Sequence, residues 1–480
     1  MLLSDVPHEL QSIILSQLDT RALACLAATC RSLWCDVSLT LLTPGLVETE
    51  LRRRTEARGL HIGSSLPNWA VSWVSYLLKR DLYGALRREA PLAVGCTHSM
   101  LVDREGRLHL ACRRAEIRAG RVGEPLLGHD SVAGTSIVSV PPTLVPSMQD
   151  KRVVSVATGV GHCLALCAEG GVYSWGTGAY GALGHADGGA RAGPRRVDAL
   201  AHVESIAAGI DNTSAAVDDR GRLFTWSRAR RPTGGPTGLG YELDPEIVCQ
   251  IIPRRVDALS EDRVVCVALG NGFTLAVTDA GAVFSFGFCA HDALGHGKPP
   301  EVLPRRIEAL AQTGQRFVAV AAGDCHALAL TEEGHIYGWG HWEANGHGRN
   351  RRTPQLVTML AEERVKLVYA QGVSSCAVTE KDDLYTWGRG STNSFNLGHG
   401  AAAPHPRPKP KRVEALRRVK VAAAAACGTH TLVVAADAGV VWSFGERSTL
   451  GLGNAAALPG CSVKQPAPYP YLRVRTLQFQ

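Results

Sequence analysis

Gly176-Thr177-Gly178-Ala179-Tyr180-Gly181 has the G-x-G-x-x-G spacing that lets a backbone approach a pyrophosphate. That chemistry also needs a helix N-terminus behind the glycines, with amides and dipole aimed at the phosphates. Here the run follows a strand-like stretch and passes into Leu-Gly-His with no helical pattern, so the glycines serve a turn. His98, His162, His326 and His430 share one local sequence context. A metal shell would require such imidazoles to converge within about 2 Å of one ion. They fall in separate copies of a repeat, so each is expected to be a hydrogen-bonded structural histidine. His129, His185, His296 and His399 all follow Leu-Gly and read as loop residues. The 14 cysteines are scattered without a Cys-x-x-Cys and read as reduced thiols. No nucleophile elbow, phosphate loop or zinc spacing occurs. The expectation is a non-enzyme with no catalytic residue, no metal and no cofactor.

The element that positions these residues is the repeat itself. From Gly171 the order is GVYSWGTGAYGALGH, then PRRVDAL, then VESIAAG. The same order returns from Leu223, Ala282, Gly334 and Leu384. A shorter copy opens at Val440, and a degraded one near Gly95. Each copy alternates strand-length apolar runs with Gly, Pro, Asp and Asn turns, about four strands in all. The 51 glycines suit many tight turns better than a helical bundle. A four-stranded sheet cannot cover both its faces alone, whereas a ring of sheets can. The expected fold is therefore mainly β: a seven-bladed β-propeller spanning residues 91–480. Leu92-Ala93-Val94-Gly95 reads as a shortened inner strand, and the strand-like Leu472–Leu477 is expected to pair with the first blade and close the ring.

Equivalent strands end in Trp175, Trp226, Trp339 and Trp387, with Phe286 and Phe444 in two copies. These form an expected core layer between blades. Basic pairs follow the proline of four copies: Arg195-Arg196, Arg254-Arg255, Arg305-Arg306 and Lys411-Arg412. Equivalent positions fall on one rim of a propeller, where they would offer an arc to an acidic partner. Asp198, Asp257, Glu308 and Glu414, two places after each pair, are candidates to neutralise it locally.

These units resemble the regulator-of-chromosome-condensation repeat. The features that carry the likeness are VAAG before His-Ser or His-Thr, a strand ending Ser-Trp-Gly, then Leu-Gly-x-Gly, then Pro-x-x-Val-x-x-Leu. The resemblance independently implies the propeller. It brings one alternative function, guanine-nucleotide exchange on a Ran-type small GTPase, and a second, a chromatin or scaffold-binding propeller. Photoreceptors of that family carry Gly-Trp-Arg-His-Thr, which is absent here.

Residues 1–40 resemble an F-box. Val6-Pro7 opens the pattern, then come Leu10, Ile13 and Ile14, Leu18-Asp19, Leu23 and Leu26, and Cys30-Arg31 with Trp34 closes it. The residues agree with a small all-α domain: Asp5 suits an N-cap, Pro7 a first turn, and Leu10, Ile14 and Leu18 share one helical face. So short a unit cannot hide that many aliphatics by itself and needs a partner surface. The resemblance implies that Val6, Pro7, Leu10, Ile14, Leu18, Leu23, Leu26 and Trp34 hold the Skp adaptor of a cullin ligase. Residues 41–90, with Trp69, Trp73, Tyr76 and Leu77 at helical spacing, read as a helical linker.

A net charge of +7 from 51 basic and 44 acidic residues is mild and does not call for nucleic acid. No segment has the ~18 apolar residues of a membrane span, and no signal-peptide pattern opens the chain. The expected location is cytoplasmic, nuclear or both. The expected role is the substrate-recognition subunit of a Skp–cullin–F-box ubiquitin ligase, with the propeller holding an unknown target protein.

Overall fold

His162–Cys167, Phe273–Thr278, His326–Thr331 and Ser374–Thr379 are strands buried along their whole length. A strand covered on only one face would alternate; these are apolar or small on both faces because another sheet packs against each. The computed structural model describes residues 51–53, 90–95, 98–113, 139–228, 237–244, 246–297, 301–390, 396–399, 406–436, 440–446 and 462–473. The chain divides into two compact units, Met1–Arg88 with Leu477–Gln480, and Glu89–Thr476. The expected F-box residues, Val6 to Trp34, lie outside the described residues. So does the expected linker, apart from residues 51–53, which are helical, and Ala90, which is not.

The second unit is a seven-bladed propeller. Seven sheets each hold four consecutive antiparallel strands. The first strands of the sheets are Leu92–Val94, Val153–Thr158, Val203–Ala208, Val264–Leu269, Phe317–Ala322, Val365–Gln371 and Val421–Ala426. Each of these touches its counterpart in the next sheet, and the seventh touches the first, so they are the innermost strands of a closed ring. The outermost strands are Ser139–Leu144, Arg191–Arg196, Cys249–Arg255, Glu301–Arg306, Arg351–Leu356, Arg407–Arg412 and Ser462–Arg473.

The core lies between blades. One apolar cluster joins Leu275 and Val283 of blade four to Val320 and Trp339 of blade five. Another joins Met100 and Leu110 of blade one to Val156 and Trp175 of blade two. In the Pro-x-x-Val-x-x-Leu segments, the valine or isoleucine and the leucine (Val197 and Leu200, Ile307 and Leu310, Val413 and Leu416) are buried as the chain passes to the next blade.

Ring closure corrects the sequence reading at Leu472 and Arg473, while residues 474–477 of the expected closing strand lie outside the described residues. The last strand, Ser462–Arg473, pairs with Val440–Glu446 of its own blade and not with blade one, and Val440 faces Arg473. Blade one already has four strands of its own, the short Leu92–Val94 among them. The two ends meet side by side instead. Leu92, Val94 and Leu101 pack with Ala425, Leu432 and Val434. Ser99 Oγ lies 2.5 Å from His430 Nε2, and the Cys427 thiol is directed at the Gly95 carbonyl at 3.4 Å.

A further tie crosses this seam. Gln371 Nε2 of blade six donates to the Thr158 carbonyl of blade two at 3.2 Å, past the two blades between them. The Tyr369 hydroxyl donates to Gln371 Oε1 at 2.6 Å and holds the amide in place. Replacing Gln371 by Leu removes both bonds and is expected to cost about 1–3 kcal/mol. Hydrogen exchange read by mass spectrometry should quicken at Leu92–Val94 more than in blades three to five. Uniform exchange around the ring would mean the tie contributes nothing to closure.

Candidate protein-interaction surface

The repeated histidines and tryptophans staple one blade to the next. The imidazole of His326 lies across Gly323, where a Cβ would sit 2.1 Å from the ring, and His162 covers Gly159 in the same way. That steric demand places glycine three residues before each of these histidines. Ser375 Oγ of blade six donates to the Ala344 carbonyl of blade five at 3.0 Å, which leaves that hydroxyl oxygen to accept from His326 Nε2 at 2.7 Å. Trp387 Nε1 donates to the same Ala344 carbonyl at 2.8 Å. Blades two and three repeat the arrangement with His162, Ser214, Ala182 and Trp226. Where Phe273 replaces the histidine, Ala327 stands in the serine position, so both polar partners are absent together. Trp339 still donates to the Ala293 carbonyl at 2.7 Å.

These histidines are held neutral. Burial, with a lesser contribution from His98, pulls His162 down to about 3. Burial and His341 pull His326 down to about 3, and burial and His430 pull His98 down to about 4. The Leu-Gly-His histidines tie a loop to a strand. Ser174 Oγ donates to Leu183 O at 2.6 Å and lies 3.0 Å from His185 Nε2. His296 and His399 do the same with Ser285 and Thr386, while His129 lies outside the described residues. Among the described residues no group of three or more His, Cys, Asp or Glu is placed to hold a metal. Burial raises the thiols of Cys167 and Cys376 to about 12, far from the thiolate form a nucleophile needs. The G-x-G-x-x-G run is a turn: Tyr180 has φ 60°, and a Cβ on Gly181 would lie 2.8 Å from Ile251 Cα of blade three.

The basic pairs all lie on outermost strands, at equivalent register. Arg195 faces Ser174, Arg254 faces Thr225, Arg305 faces Ser285 and Lys411 faces Thr386. Blade five breaks the arc with Gln355-Leu356 at that place. Most of the charge is already used within the chain. Arg195 pairs with Asp187 at 3.1 Å, Arg255 with Asp257 at 2.5 Å, Arg305 with Glu301 at 2.5 Å and Arg412 with Asp383 at 2.7 Å. Arg254 lies 4.4 Å over the Tyr241 ring. Neutralisation by the acid two residues on occurs at Asp257 alone among the described residues. Asp198, Glu308 and Glu414 stand at the same place, two residues beyond the strand end, without such a pair. Among the described residues, Arg196, Arg306 and Lys411 form no ion pair.

Two profiles of the regulator of chromosome condensation repeat match the chain, one at residues 169–216, 280–330 and 381–434, the other at 153–182 and 317–349. The propeller contains RCC1 repeats. Among similar proteins, the ultraviolet-B receptor UVR8 of Arabidopsis thaliana is 31% identical over 57% of this chain and 60% of its own length. The E3 ubiquitin-protein ligase HERC2 of Homo sapiens is 35% identical over 68% of this chain but only 6% of its own length. The chain therefore spans about three fifths of the first relative and a small part of the second. Among solved structures, Prp20p of Saccharomyces cerevisiae superposes with a TM-score of 0.62 at 21% identity, covering 86% of this chain and 91% of that one. Human WBSCR16 gives 0.56 at 21% identity, covering 72% and 85%. These structural likenesses establish the fold.

The RCC1 repeat accounts for the histidines, tryptophans and glycines; what it leaves over is the candidate surface. Tyr180, Ile247, Val248 and Ile252 are exposed apolar residues on blades two and three. Sequence reading missed them because it weighed only residues that recur from copy to copy, and these do not. The available signal was an aliphatic pair, Ile247-Val248, in a loop just after the acidic residues Asp244 and Glu246. It also missed Asp324, whose carboxyl burial raises to about 6.

Proposed function

We propose that this chain is a non-catalytic substrate receptor of a Skp–cullin–F-box ubiquitin ligase, acting in the cytoplasm, the nucleus or both. Its first 40 residues take the adaptor, and its RCC1-repeat propeller takes the protein to be ubiquitinated. The observation that carries this reading is how the propeller spends its polar groups. Most of the recurring imidazoles, hydroxyls and indole N–H groups, those of His162, His326, Ser214, Ser375, Trp226, Trp339 and Trp387 among them, are engaged between blades, and burial keeps the thiols of Cys167 and Cys376 protonated. What such a ring offers is a rigid display surface. HERC2 carries a similar stretch as 6% of its length, in keeping with a propeller used as a module in unlike chains. The mechanism is proximity: a bound target is held at high effective concentration near the conjugating enzyme, and the receptor makes no bond itself.

The test is co-purification of full-length chain from cells. Wild type is expected to carry Skp adaptor and cullin. Leu10→Asp and Leu26→Asp are expected to lose the adaptor at least tenfold while the propeller keeps its melting temperature. Wild type free of both partners would end the proposal.

A second reading rests on the likeness to Prp20p, whose structure was reported with its binding properties to Gsp1p and histones. If this chain exchanges nucleotide, it will speed release of labelled GDP from a Ran-type GTPase; unchanged release removes that reading. A chromatin-binding rim is less favoured, because Arg195, Arg255, Arg305 and Arg412 already have carboxylate partners.

A further inference from the structure

In each blade the turn between the first two strands and the loop between the last two emerge on the same face of the ring. On blades two and three that face carries Tyr180, Ile247 and Val248, with Ile252 just beyond on the outer strand. Seven large apolar side chains are conspicuously exposed among the described residues, and these four are among them; Val248 is 64% exposed. Scattered exposed apolar residues need no explanation, but a group rimmed by charge marks an interaction site. The two blades meet here: the Tyr180 turn packs on the outer strand Cys249–Arg255, which directly follows Ile247-Val248 and holds Ile252, and the Gly181 Cβ position lies 2.8 Å from Ile251 Cα. Tyr180 is displayed from a left-handed backbone, φ 60°, which is rare for a tyrosine and is held here by the packing around it.

The charge beside this group is acidic. Asp244 and Glu246 are exposed, and among the described residues neither side chain has an ion-pair partner. Their loop is pre-shaped. The Ile247 amide donates to Asp244 O at 2.9 Å, and the Glu246 amide donates to Asp244 Oδ1 at 3.1 Å. A loop ordered before binding loses less entropy when a partner arrives. The basic pair of the same outer strand, Arg254-Arg255, is occupied by Tyr241 and Asp257, and Arg230-Arg231 lies outside the described residues. Among the described residues of this loop the free charge, on Asp244 and Glu246, is thus opposite in sign to the rim suggested by the sequence.

We propose that this face of blades two and three docks a basic, aliphatic segment of the target protein. Its branched side chains would cover Ile247 and Val248, and its Lys or Arg residues would meet Asp244 and Glu246. The inference deepens the receptor reading and rests on it for the word target; the docking chemistry stands without it.

The experiment uses full-length chain and fluorescent twelve-residue peptides in which Lys or Arg alternates with Ile or Leu. Controls exchange every basic residue for Glu, or every aliphatic residue for Ser. The basic-aliphatic peptides should bind, and both controls should bind at least tenfold more weakly. Val248→Glu and the double variant Asp244→Lys with Glu246→Lys should each lower affinity about tenfold or more, and the lysine variant should shift preference toward the Glu peptide. These positions are exposed, so unchanged melting curves serve as the folding control. Absence of peptide binding, a wild-type preference for the Glu peptide, or variants that bind like wild type would each overturn the proposal. Adaptor capture is scored in parallel. If the peptides bind but wild type lacks adaptor, the ligase role falls and the docking site remains. If adaptor is captured but the peptides do not bind, the docking site falls alone.

Discussion

Acidification from pH 7 to pH 5 will destabilise the propeller by several kcal/mol, well above the range where ordinary carboxylates titrate. His162 and His326 sit at about 3 and His98 at about 4 in the folded ring, chiefly through burial. In the unfolded chain each returns to about 6.5. Between those values the unfolded state binds a proton that the folded state does not, so stability falls as pH falls. The stabilisation is complete above about 6.5 and is lost on the way down to the folded values. Each histidine contributes a slope of about 1.4 kcal/mol per pH unit, and three together about 6 kcal/mol by pH 5. Asp324 works in the opposite direction. Its folded carboxyl sits at about 6 through burial, so acidification relieves it and offsets about one histidine's share. Urea midpoints followed by fluorescence of the buried tryptophans should drop steeply between pH 7 and 5. The pair His326→Phe with Ser375→Ala copies the Phe273 and Ala327 arrangement and should remove about a third of that slope. A midpoint independent of pH over this range would refute the account.

Trp339→Ala will cost about 3–5 kcal/mol, because it opens a cavity where two blades share one core. The indole is wholly buried, and its N–H is bonded to the Ala293 carbonyl of the preceding blade. Trp339→Phe should cost less. Blades four and seven already use Phe286 and Phe444 at this place, both fully buried. The smaller ring keeps much of the packing but leaves Ala293 O without its donor, worth about 1–2 kcal/mol. Urea unfolding of both variants checks the order. If alanine and phenylalanine cost the same, the cavity is not the main term.

Most of the ring was legible along the chain. The seven copies, their four strands and the Trp or Phe layer were all readable, because strand length, turn glycines and apolar spacing are local properties repeated at an even interval. His162, His326 and His430 each reach a serine of the neighbouring blade, in keeping with separate histidines that repetition keeps apart. Their partners were not readable. Ser99 meets His430 across 331 residues of chain, and only the folded path brings that pair together. The counter-charges of Arg195, Arg305 and Arg412 likewise come from Asp187, Glu301 and Asp383 and not from the acids that follow each pair.

By itself, the order of residues determined that this protein is a circle of RCC1-type sheets with indoles between them. Tertiary structure alone decided how the circle closes and where its surface is unsatisfied. Leu472–Leu477 reads as a strand along the chain, yet backbone amides and carbonyls are the same on every sheet edge, so nothing local says which edge it will join. Exposure is likewise a relation between a side chain and whatever packs over it. Ile247 and Val248 look like core until the fold leaves them uncovered.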